Sequence, residues 1–139
     1  MYHRIIIVGN LGNDPEMRYT PDGTPVTNFS VATNYRRNKP DGTQHEETTW
    51  FRVTTWRQLA ETCNQYLSKG RQVFIEGRLR SDENGSPRVW TGNDGQPRAS
   101  FEVTASTVRF LGGRGEGGDP SVSYDEPPPP EMGEDEIPF

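Results

Sequence analysis

Six stretches of this chain repeat apolar residues at regular intervals, and the order of their periods constrains the fold more than any other feature. "RIIIV" (Arg4 to Val8) is an apolar run of strand length, closed by "GNLG". "VTNFSVAT" (Val26 to Thr33) alternates, with Phe29, Val31 and Thr33 on one side. "TTWFRVTTW" (Thr48 to Trp56) alternates too. Phe51 and Val53 point one way, while Trp50, Arg52, Thr54 and Trp56 point the other. "RQLAETCNQYLSKG" then switches to the helical period, with Leu59, Ala60, Cys63, Tyr66 and Leu67 on one stripe and Gly70 as the stop after Lys69. "QVFIEGRLR" returns to alternation, with Val73, Ile75 and Leu79 inward and Phe74, Glu76, Arg78 and Arg80 outward. "SFEVTASTVRF" (Ser100 to Phe110) is the last strand. Its parity slips between Phe101/Val103/Ala105 and Val108/Phe110, which predicts a bulge.

Three strands, one helix and two further strands, with long loops after the first strand and between the last two, is the order of an OB-fold. That is a five-stranded Greek-key barrel, all-β with one helix. A small meander sheet packed on the helix is the alternative. The loop between the last two strands, Ser81 to Arg98, carries two turn signals, Asn84-Gly85 and Asp94-Gly95, around "RVW". It reads as a protruding loop or hairpin.

The periodicity stops near "LGGRGEGGDP" (Leu111 to Pro120), and the charge changes sign there. Residues 1–111 carry 14 Lys+Arg against 12 Asp+Glu, a net of +2; residues 112–139 carry one Arg against 8 acids, a net of -7. Hydrophobic residues make up only 29% of the chain, so part of it is not expected to bury a core. Residues 1–111 are read as the folded domain and 112–133 as a disordered Gly/Pro-rich linker with a stiffer "PPPP" step. Residues 134–139 form an acidic tip, "EDEIPF". Solubility alone would account for Glu134, Asp135 and Glu136, but not for Ile137, Pro138 and Phe139. An exposed Ile-Pro-Phe end either docks back onto this protein or is offered to another one. On the random-coil rule these 28 residues span roughly 30 Å.

Little in the sequence points to catalysis. His3 and His45 have no Ser, Cys or Asp partner suggesting a nucleophilic triad, and "GNLGND" lacks the GK[ST] of a phosphate-binding loop. Glu46 and Glu47 are adjacent, so on a strand they face opposite sides. No cofactor, catalytic or metal constellation is expected. The single cysteine, Cys63, cannot form an internal disulfide, and "MYHRIIIVGN" is too short for a signal peptide or membrane span. A cytoplasmic protein is the default expectation.

Binding chemistry is better represented. Trp50 and Trp56 share a strand face with Arg52. Arg36 and Arg37 follow Tyr35, Arg57 follows Trp56, and Arg88 lies two residues before Trp90. Either the tryptophans face a second packed layer, or they are open to a ligand. Rings interleaved with guanidinium groups suit single-stranded nucleic acid: unpaired bases stack on the rings for roughly 1–3 kcal/mol each, and cations track the phosphates. The alternatives are an RNA-binding OB module and an assembly subunit whose aromatic face meets protein.

At this point the chain resembles bacterial single-stranded DNA-binding proteins. The resemblance rests on "IIIVGNLGNDPEMRYTPDGTPVTNFSVAT", "WFRVTTWRQLAETCNQYLSKGRQVFIEGRLR" and the closing "EDEIPF". It implies an OB-fold, a homotetramer, no catalysis, and protection of single strands in DNA replication, recombination and repair. By position it implies base stacking at Trp50, Trp56 and Trp90, with Tyr35 near another stacking position. It also implies that the tip, Glu134 to Phe139, recruits partner enzymes. Trp56 stands where many members have phenylalanine, which keeps the ring. Phe51 replaces a histidine of some members, and its parity implies packing or a subunit contact rather than DNA.

Overall fold

In the computed structural model, residues 1–112 are described. Their elements run β1 (Ile5–Leu11), β2 (Glu16–Tyr19), β3 (Pro25–Asn38), β4 (Gln44–Trp56), α1 (Arg57–Tyr66), β5 (Gln72–Leu79), β6 (Val89–Thr91), β7 (Pro97–Ala99) and β8 (Phe101–Leu111). The large sheet is ordered β1-β5-β8-β4-β3-β2, and β1 returns to β3 through Asn10↔Ala32 and Leu11↔Val31. That pairing closes a barrel of β1, β5, β8, β4 and β3, with β2 on the outer side of β3. Among the described residues the one parallel pairing, β4 with β8 from Phe51↔Phe101 to Thr54↔Thr104, makes the barrel mixed. This is the expected OB-fold, and it excludes the open meander.

The alternation read from the sequence is what fills the barrel. Phe29, Val31, Val53, Val73, Ile75, Val103, Val108 and Phe110 are buried inside it with Ile7 and Leu11. Burying one such side chain stabilises by about 1.5–3 kcal/mol. Ala60, Cys63 and Leu67 place the apolar stripe of α1 on this core, flanked by Leu59 and Tyr66. Two buried hydroxyls seat the helix: Thr27 Oγ1 donates to the Ala60 carbonyl at 2.7 Å, and Thr55 Oγ1 donates to the Thr27 carbonyl at 3.1 Å. The bulge falls where the parity slips. Glu76 pairs with Thr107 and Gly77 with Ala105, so Ser106 is the extra residue, and its hydroxyl donates to the Glu76 carbonyl.

Five local expectations need correction. Leu79 shares the parity of Ile75 and pairs with the buried Val103, but it is 48% exposed: β1 pairs with β5 only as far as Gly77 and leaves the other side of Leu79 without a strand neighbour. Phe101 stands at the mouth of the barrel, 60% exposed, against the ring of Phe51 at 5.7 Å. The helix ends at Tyr66 rather than Lys69, with Leu67 already extended; Gly70, at φ +90°, turns the chain into β5 instead. "EMRY" forms a short strand that the sequence reading passed over, and β3 and β4 continue outward together as a long ribbon to Asn38↔Gln44. At the ribbon's turn, hydrogen bonds from the Thr43 hydroxyl and N–H hold the Asp41 carboxyl below its usual pKa. The linker and the tip from Glu134 to Phe139 lie outside the described residues.

Candidate nucleic-acid interface

The site begins with the strand period of β4. Its register against β3 pairs Trp56 with Val26, Thr54 with Asn28, Arg52 with Ser30 and Trp50 with Ala32. All eight side chains belong to one face of the two-stranded ribbon, because alternate residues share a face. On the opposite parity, Phe29, Val31 and Val53 enter the core. A strand cannot turn both sets inward, so the tryptophans face out: Trp50 is 51% exposed and Trp56 40%. The packed-layer alternative for them is thereby excluded within a single chain.

Small residues keep this face open. Ala32 opposite Trp50 and Ser30 opposite Arg52 leave the larger side chains standing above the sheet. Gly12, just past β1, leaves room for the Trp50 ring, since a Cβ there would lie 2.6 Å from Trp50 Cη2 and closer still to Cζ3. Thr54 Oγ1 donates to Asn28 Oδ1 at 2.8 Å, tying the two strands between the tryptophans.

The expected hairpin forms from β6 and β7, joined by a turn at Asp94-Gly95, and it brings Trp90 alongside the face. Trp90, 40% exposed, borders a groove of about 410 Å³ with Asn28, Arg52, Thr54, Arg80, Arg88 and Glu102. Glu102 is central there. It sits across from Arg52 in the parallel β4–β8 register, and its side chain is only 11% exposed. Arg88 Nη1 donates to Glu102 Oε1 at 3.0 Å, and Arg80 Nη1 approaches the same oxygen at 3.8 Å. One carboxylate thus gathers cations from just past the end of β5 and from the base of the hairpin, and with Arg52 the groove keeps an excess of positive charge.

Not every candidate joins this cluster. Arg36 has the parity of Trp50 but lies further out on the ribbon, paired with Glu46 at 2.9 Å. Tyr35 and Arg37 have the opposite parity; Arg37 approaches Glu47 at 3.6 Å, and His45 approaches the same carboxylate at 3.3 Å. Such exposed pairs contribute little stability and exchange readily with other anions. Arg57 directly follows Trp56 and is exposed, with φ +58°, the only non-glycine positive φ among the described residues.

Sequence reasoning missed four residues. Arg80 is outward by the strand period, but its convergence with Arg88 on Glu102 depends on how the long loop folds. Asn28 and Glu102 needed the strand register. Arg18, on β2, lies in one row with Val26 and Trp56, and the only signal for it was the short apolar-polar run between two turns.

With this geometry in hand, similarity to known proteins is informative. The profile of the Single-strand binding protein family matches residues 2–111. A single-stranded DNA-binding protein of Neisseria meningitidis is 43% identical over 114 residues, covering 82% of this chain and 62% of that protein. One from Xanthomonas axonopodis is 44% identical over 115 residues, covering 83% and 61%. The chain therefore spans about three fifths of the length of the curated relatives it matches. Among solved structures, the Plasmodium falciparum SSB in complex with ssDNA matches with a TM-score of 0.66 at 27% identity, over 80% of this chain and 96% of that one. A deletion mutant of the single-stranded DNA binding protein from Thermus aquaticus matches with a TM-score of 0.63 at 30% identity, over 80% and 51%.

Proposed function

Because this chain belongs to the single-strand binding protein family, we propose that it binds single-stranded DNA without strong sequence preference and shields it during replication, recombination and repair. The observation that carries this reading is the pair of exposed indoles, Trp50 and Trp56, flanking Arg52 on one strand face. Bases stack on Trp50, Trp56 and Trp90, while Arg52, Arg57, Arg80, Arg88 and Arg18 contact the phosphates. Stacking on a ring tolerates any base, because each base offers a π-face. Duplex DNA keeps its bases stacked internally and offers none to these rings. As a member of this family the chain is a binding protein and not an enzyme.

Two further parts of the reading lie outside the groove. The acidic segment Glu134 to Phe139 recruits partner enzymes of DNA metabolism, with the Phe139 ring filling an apolar pocket and Ile137 a second contact. The domains assemble as a homotetramer, supported by the apolar side chains of Ile6 and Val8 standing outward on β1 and of Leu79 and Phe101 at the barrel mouth. Isolated exposed apolar residues are ordinary, but grouped ones favour covering by another surface.

The test is direct competition. Labelled oligo(dT) should bind the full chain and be displaced by unlabelled single strands, not by a duplex of the same length. Equal displacement by duplex would contradict the stacking reading.

A further inference from the structure

The β6–β7 hairpin carries Trp90 to the interface, yet packing does little to hold it there. It forms a two-stranded sheet of its own, separate from that of the barrel, and every residue of β6 and β7 is exposed. A lone two-stranded hairpin is marginal in water, so its place beside the strand face needs ties from elsewhere. Ties meet at Glu102, where the chain re-enters the barrel. Its backbone carbonyl accepts from the Arg80 N–H at 2.8 Å, at the point where the loop leaves β5. Its carboxylate accepts from Arg88 Nη1 at 3.0 Å, one residue before β6, and Arg80 Nη1 lies 3.8 Å from the same oxygen. Between the two arginines a compact turn closes. The Asp82 N–H donates to the Ser86 carbonyl at 2.9 Å, and Asp82 Oδ1 accepts from the N–H groups of Asn84 and Ser86. The segment from Arg80 to Arg88 is therefore a short arm, braced in its middle and clamped at both ends by one residue of β8.

This clamp differs from the ion pairs of the β3–β4 ribbon. Arg36–Glu46 and Arg37–Glu47 are exposed on both sides, whereas the Glu102 carboxylate is largely enclosed, where an ionised acid depends on its partners. The arginines do not depend on it in the same way, because Arg80 and Arg88 both keep access to water. A single hydrogen bond also leaves Arg88 most of its five N–H donors for a strand phosphate. We propose that Glu102 is the positioning residue of the hairpin side of the interface: by clamping Arg80 and Arg88 it holds β6–β7, and so keeps Trp90 in the groove with Arg52 and Thr54. It acts through Arg88 and the hairpin and touches no base itself. The inference rests on the single-strand reading for its purpose, but the clamp belongs to the free protein and is measured there.

Trp50→Phe and Trp56→Phe together keep a ring at each position and leave Trp90 as the sole tryptophan of the full chain. In that background, the anisotropy decay and acrylamide quenching of Trp90 are compared, without DNA, among the parent, Glu102→Ala, Arg88→Ala and the double variant. Neither deletion strands a buried charge, since Arg80 stays beside Glu102 when Arg88 is removed. Each single variant is expected to free the hairpin: a nanosecond component should appear in the anisotropy decay, and acrylamide quenching should rise. The double variant should add little to either, because both deletions break one contact. Oligo(dT) supplies the second arm. The two deletions change net charge in opposite directions, so electrostatics alone would tighten binding in Glu102→Ala and weaken it in Arg88→Ala. Loss of positioning instead shrinks the Trp90 emission change on binding in both. Trp90 motion unaltered in either variant, or effects that add in the double variant, overturns the clamp. An emission change that survives intact in both overturns its positioning role. If the parent fails to bind oligo(dT), the single-strand reading falls, and the measurements without DNA still decide the clamp.

Discussion

The Trp50 indole lies against the bare backbone of Gly12, close enough that no side chain fits between them. The Gly12 N–H donates to the Ser30 carbonyl at 2.9 Å, so the backbone is tied to β3 and cannot easily retreat. The ring, half exposed, can move instead. Gly12→Ala should therefore displace Trp50 rather than unfold the barrel. The expected result is a loss of single-strand affinity within the roughly 1–3 kcal/mol that one stacked base is worth, with little change in the thermal midpoint. Parallel melting curves and oligonucleotide titrations check both halves.

Arg57 holds a left-handed backbone next to Trp56, a conformation costing an L-residue about 1–2 kcal/mol. Outside glycine such strain persists where the surroundings require it, and functional surfaces are common among those places. Arg57→Gly should raise stability in urea by up to about that amount. If the guanidinium meets a phosphate, the same change should reduce the slope of log K against log salt by about 0.7, the single-strand value per phosphate. Higher stability with an unaltered slope would remove Arg57 from the interface.

Cys63 is buried on the barrel side of α1, and desolvation pushes its thiol up to about 12, partly offset by a hydrogen bond with Thr55. The folded state therefore holds this proton more tightly than the unfolded chain does. The resulting stability is fully present below the ordinary thiol pKa near 9 and is lost as pH rises toward about 12. Stability measured by urea melts should fall across that window, and Cys63→Ala should flatten the decline. A thiol reagent should react slowly with the native protein and quickly in denaturant.

The acidic segment and the barrel are expected to separate functionally. Phe139→Ala should abolish docking of partner enzymes and leave oligonucleotide affinity nearly intact. Removing residues 113–139, which carry the net charge of -7, should tighten binding modestly at low salt, since acidic groups compete for the same arginines. Loss of docking and of DNA affinity together in Phe139→Ala would show that the two modules were wrongly divided.

Much of the fold was legible because strand and helix periods are local. Phe51/Val53 against Trp50/Trp56 already states which face of β4 is buried, and the slip around Ser106 already states that β8 bulges. What failed was set by distance along the chain. Leu79 obeys its parity, yet nothing local says that its neighbour strand β1 starts too late to cover it. Gly70 marks a left-handed residue correctly, but the helix had already stopped where Leu67 drops into the core. The site divides in the same way. Trp50, Arg52 and Trp56 lie on one strand and could be read together. Asn28 and Glu102 come from two strands and Arg80 from the loop just past a third, and they meet only through register and loop path, which a sequence pattern does not carry. The parity of Tyr35 was readable, but its place beyond the barrel on the projecting ribbon was not.

The central claim is that indole rings on the outer face of β4 receive unpaired bases. The most direct measurement is tryptophan emission during titration with oligo(dT) at low salt, for the unaltered protein and for Trp50→Ala and Trp56→Ala. Strong quenching is expected, reduced in each variant, with affinity lower by about 1–3 kcal/mol per lost stack. Binding without quenching, or no binding at low salt, would contradict the account.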